Sequence, residues 1–473
     1  MGKTFVVIGG DAAGMSAASK AKRDDPDLEV VVFEKGEWVS YGACGLPYYV
    51  KDDIESLDDL VTLTPEAVAE RGIDLRQNHE VVDIDRNGMT VTAVHDGERI
   101  EQSYDDLLVA TGARAVVPPI DGAELDGVFT LHGMESAATV KRALAPATGV
   151  PGDEFREGYG AQVHEYLAAT SPDAVGIIGG GYIGLEMAEA FDARGLDVSV
   201  FEMLPHVLAP FGADVAEEVE DHLESNGVSL SLDTTVERIV GEDGRVTGIE
   251  AGGERVPVDV VLVATGIAPN AELAEENGIE SGETGAIATD EYGRTNDDHV
   301  FAAGDCAEAR NAVTGSPDYV PLALTANRAG RAIGQTVTGE PTPVGDIVGT
   351  AVVKAFDLEV ARTGIIDHEI ARTAGFDPVS QVIEQESRAH YYPGGSPITV
   401  RVTADRDSGR LLGASMVGHE GVAQRINTVA TALHAELTVE EVEYLDLAYA
   451  PPFGPVWDPI LTAAKVLRGK LDR

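Results

Sequence analysis

"DAVGIIGGGYIGLEMAEAFDARGLDVSVFE", residues 173–202, decides the fold. An apolar stretch runs into Gly179-Gly180-Gly181, an alanine-rich segment containing Gly184 follows, and a second apolar stretch closes on Glu202. Strand, glycine turn, helix, strand is the βαβ plan of a parallel sheet. In Gly179-x-Gly181-x-x-Gly184 the glycines let the backbone approach a pyrophosphate, which then rests on the positive N-terminus of the helix. Glu202 ends the second strand, where a carboxylate accepts both ribose hydroxyls and repels a 2′-phosphate. Neither Met203 nor Leu204 supplies a cation, so NADH is expected in preference to NADPH.

The same plan occurs about 170 residues earlier, in "TFVVIGGDAAG", "MSAASKAKRDD" and "LEVVVFEKG". Two such units so far apart mean two nucleotide-binding domains, not a solenoid. In Gly9-Gly10-Asp11-Ala12-Ala13-Gly14 an aspartate replaces the central glycine, so its carboxylate must turn away from any pyrophosphate. Glu34 still occupies the ribose-binding place. "DDLLVATGARAVVPP" (105–119) and "VVLVATGIAPN" (260–270) repeat one theme, an apolar strand ending in small residues. "DDHVFAAGDCAE" (297–308) is a further such strand, with Asp305 after Gly304 at a turn suited to a ribityl hydroxyl.

"PATGVPGDEFREGYG" (146–160), within an insertion at 146–165, is rich in Pro, Gly and charge and is expected to be a surface loop without chemistry. After about residue 331 the glycine fingerprints stop. "PITVRVTADRDSGRLLGASMVG" predicts antiparallel strands around an Asp-Ser-Gly turn, followed by helices. The expected fold class is therefore α/β, with two Rossmann-like dinucleotide-binding domains and an α+β C-terminal domain. Residues 1–112 with 271–330 form the first, 113–270 the second and 331–473 the third.

Composition narrows the partners. The 473-residue chain carries 34 basic against 81 acidic residues, a formal charge of −47. Nucleic acid and anionic membranes both need a basic face, so neither is expected. The acids are dispersed, as at Asp24, Asp25, Asp27, Asp52 and Asp53, which fits a salt-adapted surface. At molar salt the Debye length falls to about 3 Å and self-repulsion is largely screened. No apolar run approaches the roughly 18 residues that span a bilayer, and the start reads as a nucleotide-binding unit, not a signal peptide. The protein is expected in the cytoplasm.

Two cysteines, Cys44 and Cys306, exclude a disulfide scaffold, and no Cys/His spacing resembles a metal site. Cys44 sits in "VSYGACGLPYYV" (39–50), where Gly42, Ala43 and Gly45 permit close approach of a flat ring.

The paired fingerprints, the two "ATG" segments and "FAAGDCAE" together resemble the FAD-dependent pyridine nucleotide-disulfide oxidoreductases. The resemblance runs over nearly the full length. It implies FAD in the first fold, held by Gly9, Gly14, Glu34, Lys35, Thr111, Gly112 and Asp305. It implies NAD(P)H in the second, held by Gly179, Gly181, Gly184, Glu186, Glu202 and Gly266, and a C-terminal dimerisation domain.

Members of the glutathione reductase type carry a C-x4-C redox pair, but Val39 and Tyr49 stand five positions from Cys44. "YGACGLPYY" resembles instead the single-cysteine subgroup, which divides into coenzyme A disulfide reductases and NADH oxidases or peroxidases. The latter typically place a histidine in the first glycine loop, where this chain has Ala12. "HYYPG" (390–394) and "YAPPFGPVWDPI" (449–460) resemble the partner-subunit segments of coenzyme A disulfide reductases. The resemblance thus implies a homodimer in which Tyr391 and Tyr449 reach the other subunit's cysteine. It also implies that Arg23, flanked by Lys20 and Lys22, contacts coenzyme A phosphates. Where some members have an asparagine before the cysteine, this chain has Ala43, so that side chain is missing beside the thiolate.

The expected reaction is a relay from NADH through flavin to a mixed disulfide of Cys44 with coenzyme A or another small thiol such as a γ-glutamylcysteine. The Cys44 thiolate is expected to gain stability from the N-terminus of the following helix and from the flavin. One alternative is an NADH oxidase cycling Cys44 through sulfenic acid. Others are a persulfide or polysulfide reductase, disfavoured by the lack of room for a sulfur-transfer domain before Arg473, and an electron-transfer flavoprotein, which does not need Cys44.

Overall fold

A computed structural model describes residues 2–144 and 171–471. The expected loop at 146–165 lies outside the described residues. Two five-stranded parallel sheets carry the two fingerprints. The first has the spatial order Val300–Ala302, Asp106–Val109, Thr4–Ile8, Glu29–Phe33, Asp74–Arg76. The second runs Ser229–Ser231, Asp197–Phe201, Ala174–Ile178, Val260–Val263, Val128–Thr130. Central strands buried on both faces read as continuous β-branched runs. Val6, Val7, Val31, Leu107 and Leu108 in the first, and Val175, Ile177 and Val261 in the second, are wholly buried.

In both folds the glycines are demanded by geometry. A Cβ on Gly9 would lie 2.0 Å from the Ala110 carbonyl oxygen, and one on Gly179 would lie 2.4 Å from that of Ala264. Gly14 and Gly184 open their helices against the turn itself, with a Cβ 1.9 and 2.1 Å from the carbonyls of Gly9 and Gly179. Helix Ala12–Asp24 is then crossed by helix Ala323–Val337, where a Cβ on Gly330 would meet the Ala13 carbonyl oxygen at 2.0 Å. The late helix therefore returns to the first nucleotide fold.

The two "ATG" segments meet as a two-stranded antiparallel ribbon, Ala113–Ala115 against Ile267–Pro269. Asn270 ties it, its Nδ2 donating to the carbonyls of Thr111 and Ala113, both at 2.9 Å. Each nucleotide fold also carries a three-stranded antiparallel sheet, at Glu80–Ser103 and Val236–Val256, which the sequence reading did not foresee. The third region is a five-stranded antiparallel sheet. Pro397–Asp405 pairs with Leu411–Gly418 around Asp407-Ser408-Gly409, and helices Val422–His434 and Pro459–Leu471 cover it.

Candidate active site

Cys44 is exposed, in a single 3-10 turn, Ala43–Gly45, that leads directly into the short helix Leu46–Lys51. Cys306 is wholly buried, and both thiols are free, so no bridge joins them. The Cys306 thiol points at the carbonyls of Val109 and Ala303, at 3.5 and 3.4 Å, as a small buried side chain does.

Within the chain itself the charges around Cys44 are acidic. Burial raises its pKa, and the carboxylates of Glu186, Asp305 and Asp11 raise it further; its own backbone amide opposes them. These influences of the chain disfavour the Cys44 thiolate.

Those acids form a cluster from different parts of the chain. Asp11 stands at the head of helix Ala12–Asp24, and its Oδ1 accepts from the Tyr41 backbone N–H at 3.0 Å. Its carboxylate is thus turned toward the loop that leads to Cys44, and burial pushes its pKa up to about 6. Asp305 is raised by burial, with His132 opposing, and its carbonyl accepts from Tyr319 Oη at 3.0 Å. Glu186, on helix Tyr182–Ala193 of the second fold, is pushed up by burial to about 7 while its Oε1 accepts from Tyr48 Oη at 3.2 Å. A concentration of perturbed acids around one exposed thiol marks a candidate functional site.

Glu34 and Glu202 occupy matching positions and make matching bonds. Oε2 of Glu34 accepts from Gly10 N–H at 2.8 Å and Oε1 from Gly36 N–H at 2.8 Å. Oε2 of Glu202 accepts from Gly180 N–H at 2.7 Å and Oε1 from Leu204 N–H at 2.8 Å. Each carboxylate is locked to its glycine turn with one lone pair per oxygen left for hydroxyls. Above the turns the chain leaves space. A Cβ on Gly181, Gly112 or Gly266 would meet nothing within 4 Å, and Gly112 and Gly266 have φ of +69° and +116°. Open glycine cradles bordered by hydroxyl-accepting carboxylates fit dinucleotides on both folds. Lys35 is exposed beside Glu34, and Thr111 Oγ1 donates to the Asn270 carbonyl at 2.6 Å.

The three cations at the end of the first helix part company. Lys20 Nζ pairs with Asp24 at 2.6 Å, and Lys22 Nζ donates to the carbonyls of Pro26 and Leu28, both at 2.8 Å. Arg23 is exposed and forms no ion pair among the described residues. Arg71, which sequence reasoning missed, donates from Nη1 to Ser19 Oγ at 3.1 Å, one helical turn before Arg23. No local motif marks Arg71.

Tyr391 and Tyr449 come together, hydroxyl to hydroxyl at 2.7 Å, on the exposed side of the third region. The segment after Tyr449 is bound to the one before Tyr391, through Ala389 N–H to the Pro451 carbonyl at 3.3 Å and Gln385 Nε2 to the Trp457 carbonyl at 2.7 Å. Phe453 (81% exposed), Val456 (65%) and Trp457 (45%) extend the same patch. None of these groups is among those that perturb Cys44 of the same chain. Among the described residues no helix is long and apolar enough to cross a membrane, and no group of His, Cys, Asp and Glu is arranged to hold a metal.

Known proteins resemble the whole chain. A family model described as "Pyridine nucleotide-disulphide oxidoreductase" matches residues 3–330, and that of its dimerisation domain matches 350–459. The NAD(P)H sulfur oxidoreductase (CoA-dependent) of Pyrococcus abyssi is 40% identical over 468 residues, 98% of either chain. The solved NAD-dependent persulfide reductase from A. fulgidus superposes with a TM-score of 0.91 at 39% identity, covering 99% of this chain and 83% of that one. Reduced Bacillus anthracis CoADR-RHD gives 0.90 at 31% identity, with 100% and 81% covered.

Proposed function

The chain belongs to the pyridine nucleotide-disulphide oxidoreductase family, and on that premise we propose that it reduces coenzyme A disulfide, or a related small disulfide, with NADH through Cys44. One observation carries this reading. Cys44 is the exposed thiol in a cluster of perturbed acids, and the only other cysteine is buried and unbridged, so a disulfide at Cys44 has to be made with a foreign thiol.

In this reading FAD lies along the first glycine turn, with Gly9, Gly14, Glu34, Lys35, Thr111, Gly112 and Asp305 around it. When bound it supplies two-electron transfer between a nicotinamide and a sulfur. The second turn, with Gly179, Gly181, Gly184, Glu186 and Gly266, takes the nicotinamide nucleotide. Glu202 repels a 2′-phosphate, and Met203 and Leu204, both exposed, offer it no cation, which favours NADH.

The chain's own residues then divide the sulfur chemistry. The Cys44 thiolate attacks one sulfur of the substrate disulfide; a Cys44–thiol disulfide forms, the substrate S–S bond breaks, and one thiolate departs. Tyr391 or Tyr449 of the partner subunit gives that thiolate a proton. Arg23, with Arg71 near it, holds the substrate's phosphates. The second subunit covers the apolar patch at Phe453, Val456 and Trp457, since exposed clusters of this kind mark interfaces. The acidic surface is adapted to a salt-rich cytoplasm.

A persulfide is the second reading, favoured by the names of the Pyrococcus abyssi and A. fulgidus relatives. The test is NADH consumption with coenzyme A disulfide, polysulfide or oxygen as the sole acceptor, for wild type and Cys44→Ser. We expect disulfide-dependent turnover that Cys44→Ser abolishes. Turnover with oxygen alone, or activity retained in Cys44→Ser, would reject the proposal.

A further inference from the structure

The helix that carries Cys44 is fastened to the second nucleotide fold at successive points. Tyr48 Oη donates to Glu186 Oε1 at 3.2 Å, and Lys51 Nζ lies 2.9 Å from Glu189 Oε1, one turn further along the same partner helix. At its end, Arg194 Nε donates to the Val50 carbonyl at 2.9 Å, and Asp52 pairs with Arg194 at 2.5 Å and Lys141 at 2.8 Å. The third region joins the clamp, for Lys354 pairs with Glu189 and the Phe356 N–H donates to Glu189 Oε2 at 3.0 Å. Cys44 stands in the 3-10 turn just before the helix that carries Tyr48, and the two groups act on each other electrostatically. Glu186 is thus held by a hydrogen bond from the helix that follows Cys44, with the lysine-paired Glu189 one turn further along its own helix.

We propose that Glu186, oriented by Tyr48 and braced by the Glu189–Lys51–Lys354 junction, is a positioning residue whose negative charge opposes the ionisation of Cys44. This rests on the reading of Cys44 as the redox thiol. With Glu186 ionised, a negative charge in a partly buried site opposes a second one on sulfur, and Cys44 keeps its proton. With Glu186 neutral, Cys44 releases its proton to water more readily. The groups facing Cys44 are Tyr48, Glu186, Asp305 and Asp11; burial is the largest influence on the thiol, and Glu186 comes first among the charges. Those facing Glu186 are Tyr48, whose hydrogen bond favours the carboxylate, Glu189, which opposes it, and Lys354, which favours it. Burial holds Glu186 near neutrality, at about 7, where small changes around it switch its charge.

The test is the pH dependence of Cys44 alkylation by iodoacetamide in the protein as isolated, read by mass spectrometry of the Cys44 peptide. Glu186→Gln is expected to move the profile to lower pH, with alkylation at most about twofold faster near pH 7, where wild-type Glu186 is about half neutral, and up to about tenfold faster by pH 8. Glu186→Asp, which keeps the charge, is expected to restore the wild-type profile in large part. Should Glu186→Gln fail to fold, Tyr48→Phe serves. It weakens the hold on the carboxylate, so alkylation quickens near neutrality and converges with wild type at high pH, where Glu186 is ionised in both. An unmoved or slower profile in Glu186→Gln, or in Tyr48→Phe where that variant replaces it, overturns the inference while leaving the redox reading intact. Full disulfide turnover in Cys44→Ser would remove the redox reading without altering the alkylation result.

Discussion

Tyr391 and Tyr449 share a 2.7 Å hydrogen bond between their hydroxyls, although 58 residues separate them and both side chains are exposed. Two exposed phenols this close, in a region with a dimerisation-domain match, form a pair presented outward. The bond raises the Tyr449 pKa, because the ionised phenolate would lose its role as donor. As a proton source for a departing thiolate the pair is expected to contribute on the order of 100-fold. Tyr391→Phe with Tyr449→Phe should therefore cut coenzyme A disulfide turnover by about that factor, with smaller losses in the single variants. Unchanged turnover in the double variant would remove both tyrosines from the chemistry.

Glu202 makes a prediction about the nucleotide. Its two oxygens are locked on Gly180 and Leu204, so the carboxylate would meet a bound ribose in a fixed position. The wild-type kcat/KM for NADH should exceed that for NADPH by about tenfold or more, a charge-assisted bond contributing roughly 1.5–3 kcal/mol. Glu202→Gln should narrow that ratio. A wild type indifferent to the 2′-phosphate would contradict the assignment.

The acid cluster has a stability consequence of definite sign. Glu186 and Asp11 are raised by burial from 4.5 to about 7 and from 3.8 to about 6. A raised carboxyl favours the folded state fully below its unfolded pKa and loses that contribution as pH rises through the folded value. Glu186→Gln should then gain on wild type between about pH 5 and pH 8, on the order of 2 kcal/mol by the higher pH. Urea denaturation midpoints at the two ends of that range measure it. The same difference at both ends would show that Glu186 is not titrating there.

The Glu189 junction predicts a loss. Its side chain is 9% exposed, with Lys51 and Lys354 supplying its counter-charges. Removing both by Lys51→Met with Lys354→Met leaves a buried carboxylate uncompensated, at a cost of about 3 kcal/mol. Glu189→Gln added to that background should recover much of it. If the double variant melts like wild type, the junction is not structural.

The surface charge predicts salt dependence. At −47, self-repulsion weakens the folded state in dilute buffer and is screened at molar salt. The melting temperature should climb between about 0.1 and 2 M KCl. A flat response would remove the case for salt adaptation.

What the sequence made legible follows from how local each signal is. The βαβ turns are local: Gly9, Gly14, Gly179 and Gly184 are each required by a backbone atom one short loop away or on an adjoining strand. The alternation around Asp407-Ser408-Gly409 likewise fixes a strand pair without reference to the rest of the chain. The surroundings of Cys44 are not local. Asp11, Glu186 and Asp305 reach it from three separate segments, so no local spacing could have shown that the chain surrounds this thiol with acids. Spacing could not say that Lys20 and Lys22 are taken by Asp24 and by carbonyls while Arg23 is left outward, or that Arg71 comes beside the same turn. The small antiparallel sheets at Glu80–Ser103 and Val236–Val256 went unread because their mixed burial gives weak alternation.

The central claim is that Cys44 carries electrons by bonding to a foreign thiol. Mass spectrometry of the Cys44 peptide, after coenzyme A disulfide is added without NADH and again after NADH is supplied, tests it most directly. The account predicts a coenzyme A adduct on Cys44 in the first sample that disappears in the second. An unmodified Cys44 in both, while NADH-driven disulfide reduction proceeds, would contradict it.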